Sequence, residues 1–127
     1  MNPRRILLVD DEPAFTRVMR NYLEDTGRFE VRMENDPRKA VAAARDFRPD
    51  LILLDVIMPD MDGGDVAFQL KADHALRNVP LIFLTAIVSK EFVSGHGEMI
   101  GGHPFLAKPV DAAELIEAVD RVLKFAA

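Results

Sequence analysis

The sequence contains no cysteine. Disulfide frameworks, thiol nucleophiles and thiolate metal sites are therefore excluded, and the absence fits a reducing compartment. The chain also lacks an apolar run near the roughly 20 residues that a membrane-spanning helix needs, and its amino terminus lacks the apolar core of a signal peptide. These absences predict a cytoplasmic protein with no membrane partner.

Runs of basic residues are absent as well. The chain has 16 basic and 21 acidic residues and a net charge of -5, which disfavours nucleic acid or an acidic membrane as a partner. At 127 residues, 49% of them hydrophobic, it is long enough for one globular domain and too short for two. We therefore expect a single domain over residues 1–127, with no output domain after the last helix.

Short apolar runs alternate with segments of helical periodicity, a pattern typical of βαβ units and a parallel sheet. One run, Leu51–Leu54, is apolar on both faces and predicts a central strand, whereas Phe29–Met33 alternates with charged residues and predicts an edge strand. The other predicted strands are Arg5–Val9, Leu81–Leu84 and Phe105–Ala107.

Helices are predicted between these strands from apolar residues spaced three and four apart. Pro13 suits a first helical turn, and Asp36–Pro37 opens a second helix that runs to about Asp46. A loop, Met58–Gly64, precedes a third, and Asp111 with Glu114 forms a variant capping box for the last. The predicted buried positions are Phe15, Val18, Met19, Tyr22, Leu23, Val66, Ala67, Leu70, Leu115, Ile116, Val119, Val122 and Leu123.

The segment Ser89–Pro104 interrupts this alternation where a fourth helix is expected. It contains four glycines, and each costs up to about 1 kcal/mol inside a helix. We expect at most a short helix at Ser89–Val93, followed by a hairpin whose Gly101–Gly102 turn leads into the fifth strand.

Polar residues directly follow four of the apolar runs: Asp10 and Asp11, then Asp55, Thr85 and Lys108. The carboxyl ends of parallel strands form one edge of a sheet, and the ligand crevice lies there. Each residue alone has a plain structural explanation as a cap, a turn residue or a solvated lysine. Together they favour a site that binds a hard divalent cation and a phosphoryl group beside an attackable carboxylate.

Four motifs carry a resemblance to a known family: Val9–Pro13, Leu53–Gly63, Leu84–Ala86 and Phe105–Pro109. In these motifs, and over essentially its whole length, the chain resembles the receiver domains of two-component response regulators. The resemblance implies a flavodoxin-like, doubly wound five-stranded parallel sheet of order 2-1-3-4-5 with five helices. It also implies transfer of a phosphoryl group onto Asp55 from a phosphohistidine of a histidine kinase or a histidine phosphotransfer protein.

The resemblance also assigns roles to the site residues. Mg²⁺ would be held by Asp11, Asp55 and the backbone carbonyl of Ile57, with Asp10 acting through a bound water. Lys108, preceding a cis proline, would pair first with Asp55 and then with a phosphoryl oxygen.

Thr85 would donate a hydrogen bond to the phosphoryl group and draw its loop inward. Phe105 either follows that movement or is an ordinary core residue. The three histidines, His74, His96 and His103, are too scattered to form a site, and we expect them on the surface.

The glycine-rich segment departs from the family pattern, because it replaces much of the helix that contributes to the usual output face. A downstream protein target is implied but not identified, and a homodimer through that face is left open. The first expectation is a switch or phosphorelay shuttle that catalyses only its own phosphorylation and dephosphorylation.

Two alternatives remain. A Mg²⁺-dependent phosphatase that forms an aspartyl phosphate would need an aspartate two residues after the nucleophile, where this chain has Ile57. A degenerate receiver that acts only as an interaction scaffold usually loses a site residue, and here all are present.

Overall fold

The computed structural model describes residues 3–56, 58, 62–86, 99–100 and 103–126, with backbone alone at 99–100 and 125–126. The strands are β1 (Arg4–Val9), β2 (Phe29–Glu34), β3 (Leu51–Asp55), β4 (Leu81–Thr85), β5 (Met99–Ile100) and β6 (His103–Ala107). The helices of the described part are α1 (Pro13–Glu24), α2 (Ala40–Phe47), α3 (Gly63–Ala72) and α4 (Ala112–Ala126), with a 3-10 turn at Pro37–Lys39 before α2.

The strands form one sheet of order β2-β1-β3-β4-β6-β5. All neighbouring pairs from β2 to β6 are parallel, and β5 adds an antiparallel strand at the end. The predicted flavodoxin-like parallel sheet of order 2-1-3-4-5 is confirmed, with β6 as its fifth strand. The central position of β3 and the edge position of β2 are confirmed as well.

Each face of the sheet carries a hydrophobic core. Along β3, Ile52 and Leu54 join the core under α2 and α3, while Leu51 and Leu53 join the core under α1 and α4. This division follows from the alternation of side chains along a strand. All four side chains are fully buried, which explains why β3 reads as a continuous apolar run.

The buried stripe of α1 differs from the predicted one. Val18 is 43% exposed, and the fully buried Thr16 lies with Met19 and Leu23 against the sheet instead. The hydroxyl of Thr16 donates to the carbonyl oxygen of Pro13 at 3.0 Å, so burial of this polar group is compensated within the helix. Apolar spacing alone could not show that a threonine takes an inward position.

The second predicted helix begins as a 3-10 turn, capped by the Asp36 side chain, which accepts from the backbone N–H of Arg38. The third begins at Gly63, so both glycines of the predicted loop belong to α3. Asp111 accepts from the backbone N–H of Glu114 at 2.8 Å and caps α4 as predicted. The second helix was placed too early because Asp36 and Pro37 start a 3-10 turn as readily as an α-helix.

The predicted hairpin is confirmed by the antiparallel pairing of Met99 with Pro104 and of Ile100 with His103. Residues 87–98 lie outside the described part, and with them the predicted short helix at Ser89–Val93 and the region of the family's fourth helix. His103 is half-buried and makes a T-shaped contact with the ring of Phe83, so it does not lie freely on the surface. None of the helices in the described ranges is long and apolar enough to cross a membrane.

Candidate functional site

The predicted site residues meet at the carboxyl edge of the sheet. Asp55 and Thr85 end neighbouring strands, since Asp55 pairs in register with Leu84. Lys108 directly follows β6, and its backbone N–H donates to the carbonyl oxygen of Thr85 at 2.8 Å. Asp10 follows β1, which lies on the other side of β3. The sheet thus gathers side chains that are almost a hundred positions apart in the chain.

Lys108 lies among three carboxylates at this edge. Its Nζ lies 2.7 Å from a carboxylate oxygen of Asp10, 3.4 Å from one of Glu12 and 3.6 Å from one of Asp55. The Lys108 side chain is only 12% exposed. The expected ion pair with Asp55 is present, but Asp10 is the nearer partner.

The electrostatics of the Asp10–Lys108 pair reflect its burial. Burial raises the pKa of Asp10 above its ordinary value of 3.8, even though Lys108 and the backbone N–H of Glu12 donate hydrogen bonds to its carboxylate. For Lys108, burial disfavours the charged form, but the hydrogen bond to Asp10 and the charges of Asp10, Asp55 and Glu12 together outweigh it and raise the pKa. The hydrogen bonds and the charge of Lys108 therefore do not fully offset the cost of burying the Asp10 carboxylate.

Four acidic side chains could hold a metal ion together. Asp10, Asp11, Glu12 and Asp55 each offer a carboxylate oxygen, and these oxygens lie within 4.8 Å of one another. Asp10 and Asp55 are buried, Asp11 is partly exposed and Glu12 is exposed. Such hard oxygen donors, with some open to water, suit Mg²⁺, which keeps several of its waters. The expected carbonyl ligand, Ile57, lies outside the described residues.

A hydrogen-bond network fixes the chain at the acidic pair. The side-chain amide of Asn35, just past β2, donates to the carbonyl oxygen of Asp10 at 2.7 Å and to the hydroxyl of Thr16 at 3.2 Å. Thr16 in turn is anchored to the first turn of α1. This network ties β1, β2 and α1 together immediately behind the acidic cluster.

A close backbone contact positions the end of β3. The N–H of Gly63 donates to the carbonyl oxygen of Val56 at 2.7 Å. A side-chain carbon at Gly63 would collide with the carbonyl oxygen of Asp55 and the Cα of Val56. Only glycine allows α3 to start this close to the strand that carries Asp55.

Thr85 and Phe105 are both buried. Thr85 is 0% exposed, and Phe105 is 5% exposed and lies opposite Phe83 in the register of β4 and β6. Phe105 is therefore a core residue in this conformation, and its movement with Thr85 stays a prediction.

Three site residues were not predicted from the sequence. Glu12 joins the acidic cluster, Asn35 supports Asp10, and the ring of Phe15 lies 4.2 Å from Lys108 Nζ. In the sequence, the candidate site residues are polar residues that directly follow the other strands. Applied to β2, the same rule would have identified Asn35, which is a polar residue just past the strand end. Phe15 carries no such signal, since its spacing is that of a core residue.

Comparisons with known proteins agree with this geometry. A family model described as the response regulator receiver domain matches residues 6–120. The chain is 32% identical to the polar-differentiation response regulator DivK of Brucella anthropi over 124 residues, covering 95% of this chain and 97% of DivK. It is 39% identical to the response regulator PleD of Caulobacter vibrioides over 127 residues, covering 95% of this chain but 26% of PleD.

The fold is also found in solved structures. The receiver domain of the sensor histidine kinase PA1611 from Pseudomonas aeruginosa PAO1 has a magnesium ion coordinated in its active site cleft. It superposes with a TM-score of 0.82 at 32% identity, covering 97% of this chain and 99% of that domain. The chain spans about half the length of several other curated relatives that it matches. The site geometry, the family model and these relatives together show that the chain belongs to the receiver domains of two-component response regulators.

Proposed function

We propose that this receiver domain accepts a phosphoryl group on Asp55 and acts as a signalling switch or as a shuttle in a phosphorelay. The observation that carries the proposal is the meeting of a buried aspartate, Asp55, with Lys108 and the acidic cluster at one sheet edge. In the transfer, a carboxylate oxygen of Asp55 attacks phosphorus, the bond from phosphorus to the histidine nitrogen breaks, and the imidazole leaves as the acyl phosphate forms.

Lys108 has a defined task in this reaction. Its Nζ already lies 3.6 Å from Asp55, so a small movement of the flexible side chain places the ammonium against a phosphoryl oxygen. There it stabilises negative charge that develops during transfer. The hydroxyl of Thr85, at the end of the adjacent strand, would donate to a second phosphoryl oxygen.

The acidic cluster fits Mg²⁺, and Asp10, Asp11 and Asp55 are the residues proposed to hold it. When bound, the ion supplies positive charge that offsets the approach of a phosphoryl group to a carboxylate. The raised pKa of Asp10 supports this role, because a buried carboxylate that Lys108 does not fully compensate gains from a further cation.

The proposed phosphodonor is a histidine kinase or a histidine phosphotransfer protein. A shallow apolar groove beside Lys108 offers a docking surface for such a partner, and Val18 is 43% exposed there. The groove runs from α1 to the segment after β6 and is lined by Ala14, Phe15, Val18, Met19, Pro109 and Val110. A helix carrying the phosphohistidine would place the phosphoryl group next to Asp55 when docked along it.

The proposal is tested with phosphoramidate, a small donor whose phosphorus–nitrogen bond resembles that of phosphohistidine. Intact-protein mass spectrometry in the presence of Mg²⁺ should detect one added phosphoryl group. Asp55→Asn should abolish the addition, while the matched variant Asp65→Asn, an exposed aspartate on α3, should leave it unchanged. A phosphoryl group still present on Asp55→Asn would overturn the assignment.

A further inference from the structure

We propose that Phe15 is a positioning residue that holds the ammonium of Lys108 beside Asp55 through the face of its ring. The inference deepens the proposed phosphoacceptor function and rests on it. It concerns a residue of α1 whose spacing in the sequence indicates nothing beyond core packing.

The geometry places Lys108 between two kinds of partner. The carboxylates of Asp10, Glu12 and Asp55 lie within salt-bridge distance of Nζ, and the centroid of the Phe15 ring lies 4.2 Å from the same atom. An ammonium at this distance over an aromatic face is attracted by the ring quadrupole. The attraction is stronger here than on an open surface, because the Lys108 side chain is only 12% exposed.

The ring of Phe15 can hold the Lys108 ammonium at stages of the reaction when the carboxylates cannot. A divalent cation bound at the acidic cluster competes with Lys108 for the oxygens of Asp10 and Asp55 and repels its ammonium. Attraction to the ring of Phe15 does not involve those oxygens and therefore persists. Phe15 thus keeps the ammonium at the site while its carboxylate partners are engaged, within reach of an incoming phosphoryl group.

The competing explanation is that Phe15 serves only as apolar bulk that lines the groove. Leucine would then serve nearly as well, whereas a ring-face contact requires an aromatic residue. Tyrosine keeps the quadrupole and leucine removes it at similar volume, so the two substitutions separate the explanations.

The first experiment measures the rate of phosphorylation by phosphoramidate and Mg²⁺, a donor too small to depend on docking in the groove. Phe15→Leu should slow the reaction by about threefold to tenfold, and Phe15→Tyr should restore it. In a Lys108→Met background, Phe15→Leu should cause no further loss, because no ammonium remains to be held. The control Phe68→Leu alters an exposed phenylalanine on α3 and should have no effect.

The second experiment observes the contact itself by NMR. Protons on Cε of Lys108 should be shifted upfield by the ring current in the wild type, with and without Mg²⁺, and should lose that shift in Phe15→Leu. Equal rates for Phe15→Leu and the wild type, or a further loss in the Lys108→Met background, would overturn the inference alone. A wild type that accepts no phosphoryl group at all would overturn the proposed function and, with it, the inference.

Discussion

The ammonium of Lys108 lies 2.7 Å from a carboxylate oxygen of Asp10, which is fully buried. The partner that holds the lysine most closely is therefore a different carboxylate from Asp55, the proposed phosphoacceptor. If Asp55 is the phosphoacceptor, as proposed, a phosphoryl group on it would draw the Lys108 ammonium away from Asp10 over a short distance.

Asp10→Asn is expected to stabilise the fold while weakening Mg²⁺ binding. In the wild type, burial raises the pKa of Asp10, so its charged form costs stability at neutral pH. Removing that charge should raise the free energy of unfolding, because the buried carboxylate is no longer desolvated in its charged form and Lys108 keeps Asp55 and Glu12 as partners.

Urea unfolding with a chelator present measures this difference. It should shrink as the pH falls through the raised pKa of Asp10, since the wild-type carboxylate then becomes neutral as well. A difference that grows in acid would contradict the explanation.

Asp11→Ala is expected to weaken Mg²⁺ binding by more than about tenfold. Asp11 is partly exposed, so an ion bound to it can keep water ligands, and it is proposed to contact the ion directly. Glu12→Gln is the matched comparison, since Glu12 belongs to the same cluster but is exposed. Titration calorimetry that finds a larger loss for Glu12→Gln would reassign the direct ligand.

Asn35→Ala is expected to lower both stability and Mg²⁺ affinity. It removes the donor to the carbonyl oxygen of Asp10 and to Thr16, at a cost of about 1 kcal/mol in unfolding free energy. Asn35 holds the backbone that carries Asp10, so its loss should also let this proposed ligand shift and should weaken Mg²⁺ binding. Asn21→Ala, which alters an exposed asparagine of α1, should change neither quantity.

Gly63→Ala is expected to destabilise the protein by about 1–3 kcal/mol. The added carbon would collide with the backbone of Asp55 and Val56, so α3 must move away from the end of β3. At Gly64, a carbon would lie 3.1 Å from Oδ1 of Asp62, which caps α3 by accepting from the N–H of Asp65 and would have to move by only a few tenths of an ångström. In thermal unfolding, Gly64→Ala should therefore cost less stability than Gly63→Ala, and equal losses for the two variants would contradict the role of Gly63.

His103→Gln is expected to flatten the dependence of stability on pH. Burial and then the charge of Lys71 lower the pKa of His103 below its ordinary value of 6.5. The unfolded chain therefore binds more protons in the window below 6.5, and stability is lost as the pH falls through it.

The effect should amount to roughly a few tenths of a kcal/mol, because the partly exposed ring is screened by water. Unfolding between about pH 7.5 and about pH 5.5 measures it, with His74→Gln as the exposed control. A slope unchanged in His103→Gln but altered in His74→Gln would contradict the assignment.

Much of the fold could be predicted from the sequence, because a strand buried on both faces appears as a continuous apolar run. The polar residue that ends the apolar run of β3, Asp55, could be identified as a candidate site residue in the same way. Burial of Thr16 and the roles of Asn35 and Phe15 could not be predicted, since they depend on which side chains face each other across separate elements. The nearer pairing of Lys108 with Asp10 is of the same kind, because the distances from Nζ to Asp10, 2.7 Å, and to Asp55, 3.6 Å, differ by less than 1 Å.

The short strand β5 has a consequence for how copies of this chain can meet. Exposed sheet edges invite strand addition by other chains, and very short or charged edge strands discourage it. In the described part of the sheet, one edge is the two-residue β5 and the other is β2, which carries Glu30, Arg32 and Glu34. Growth of the sheet from one copy into the next is therefore disfavoured at both of these edges.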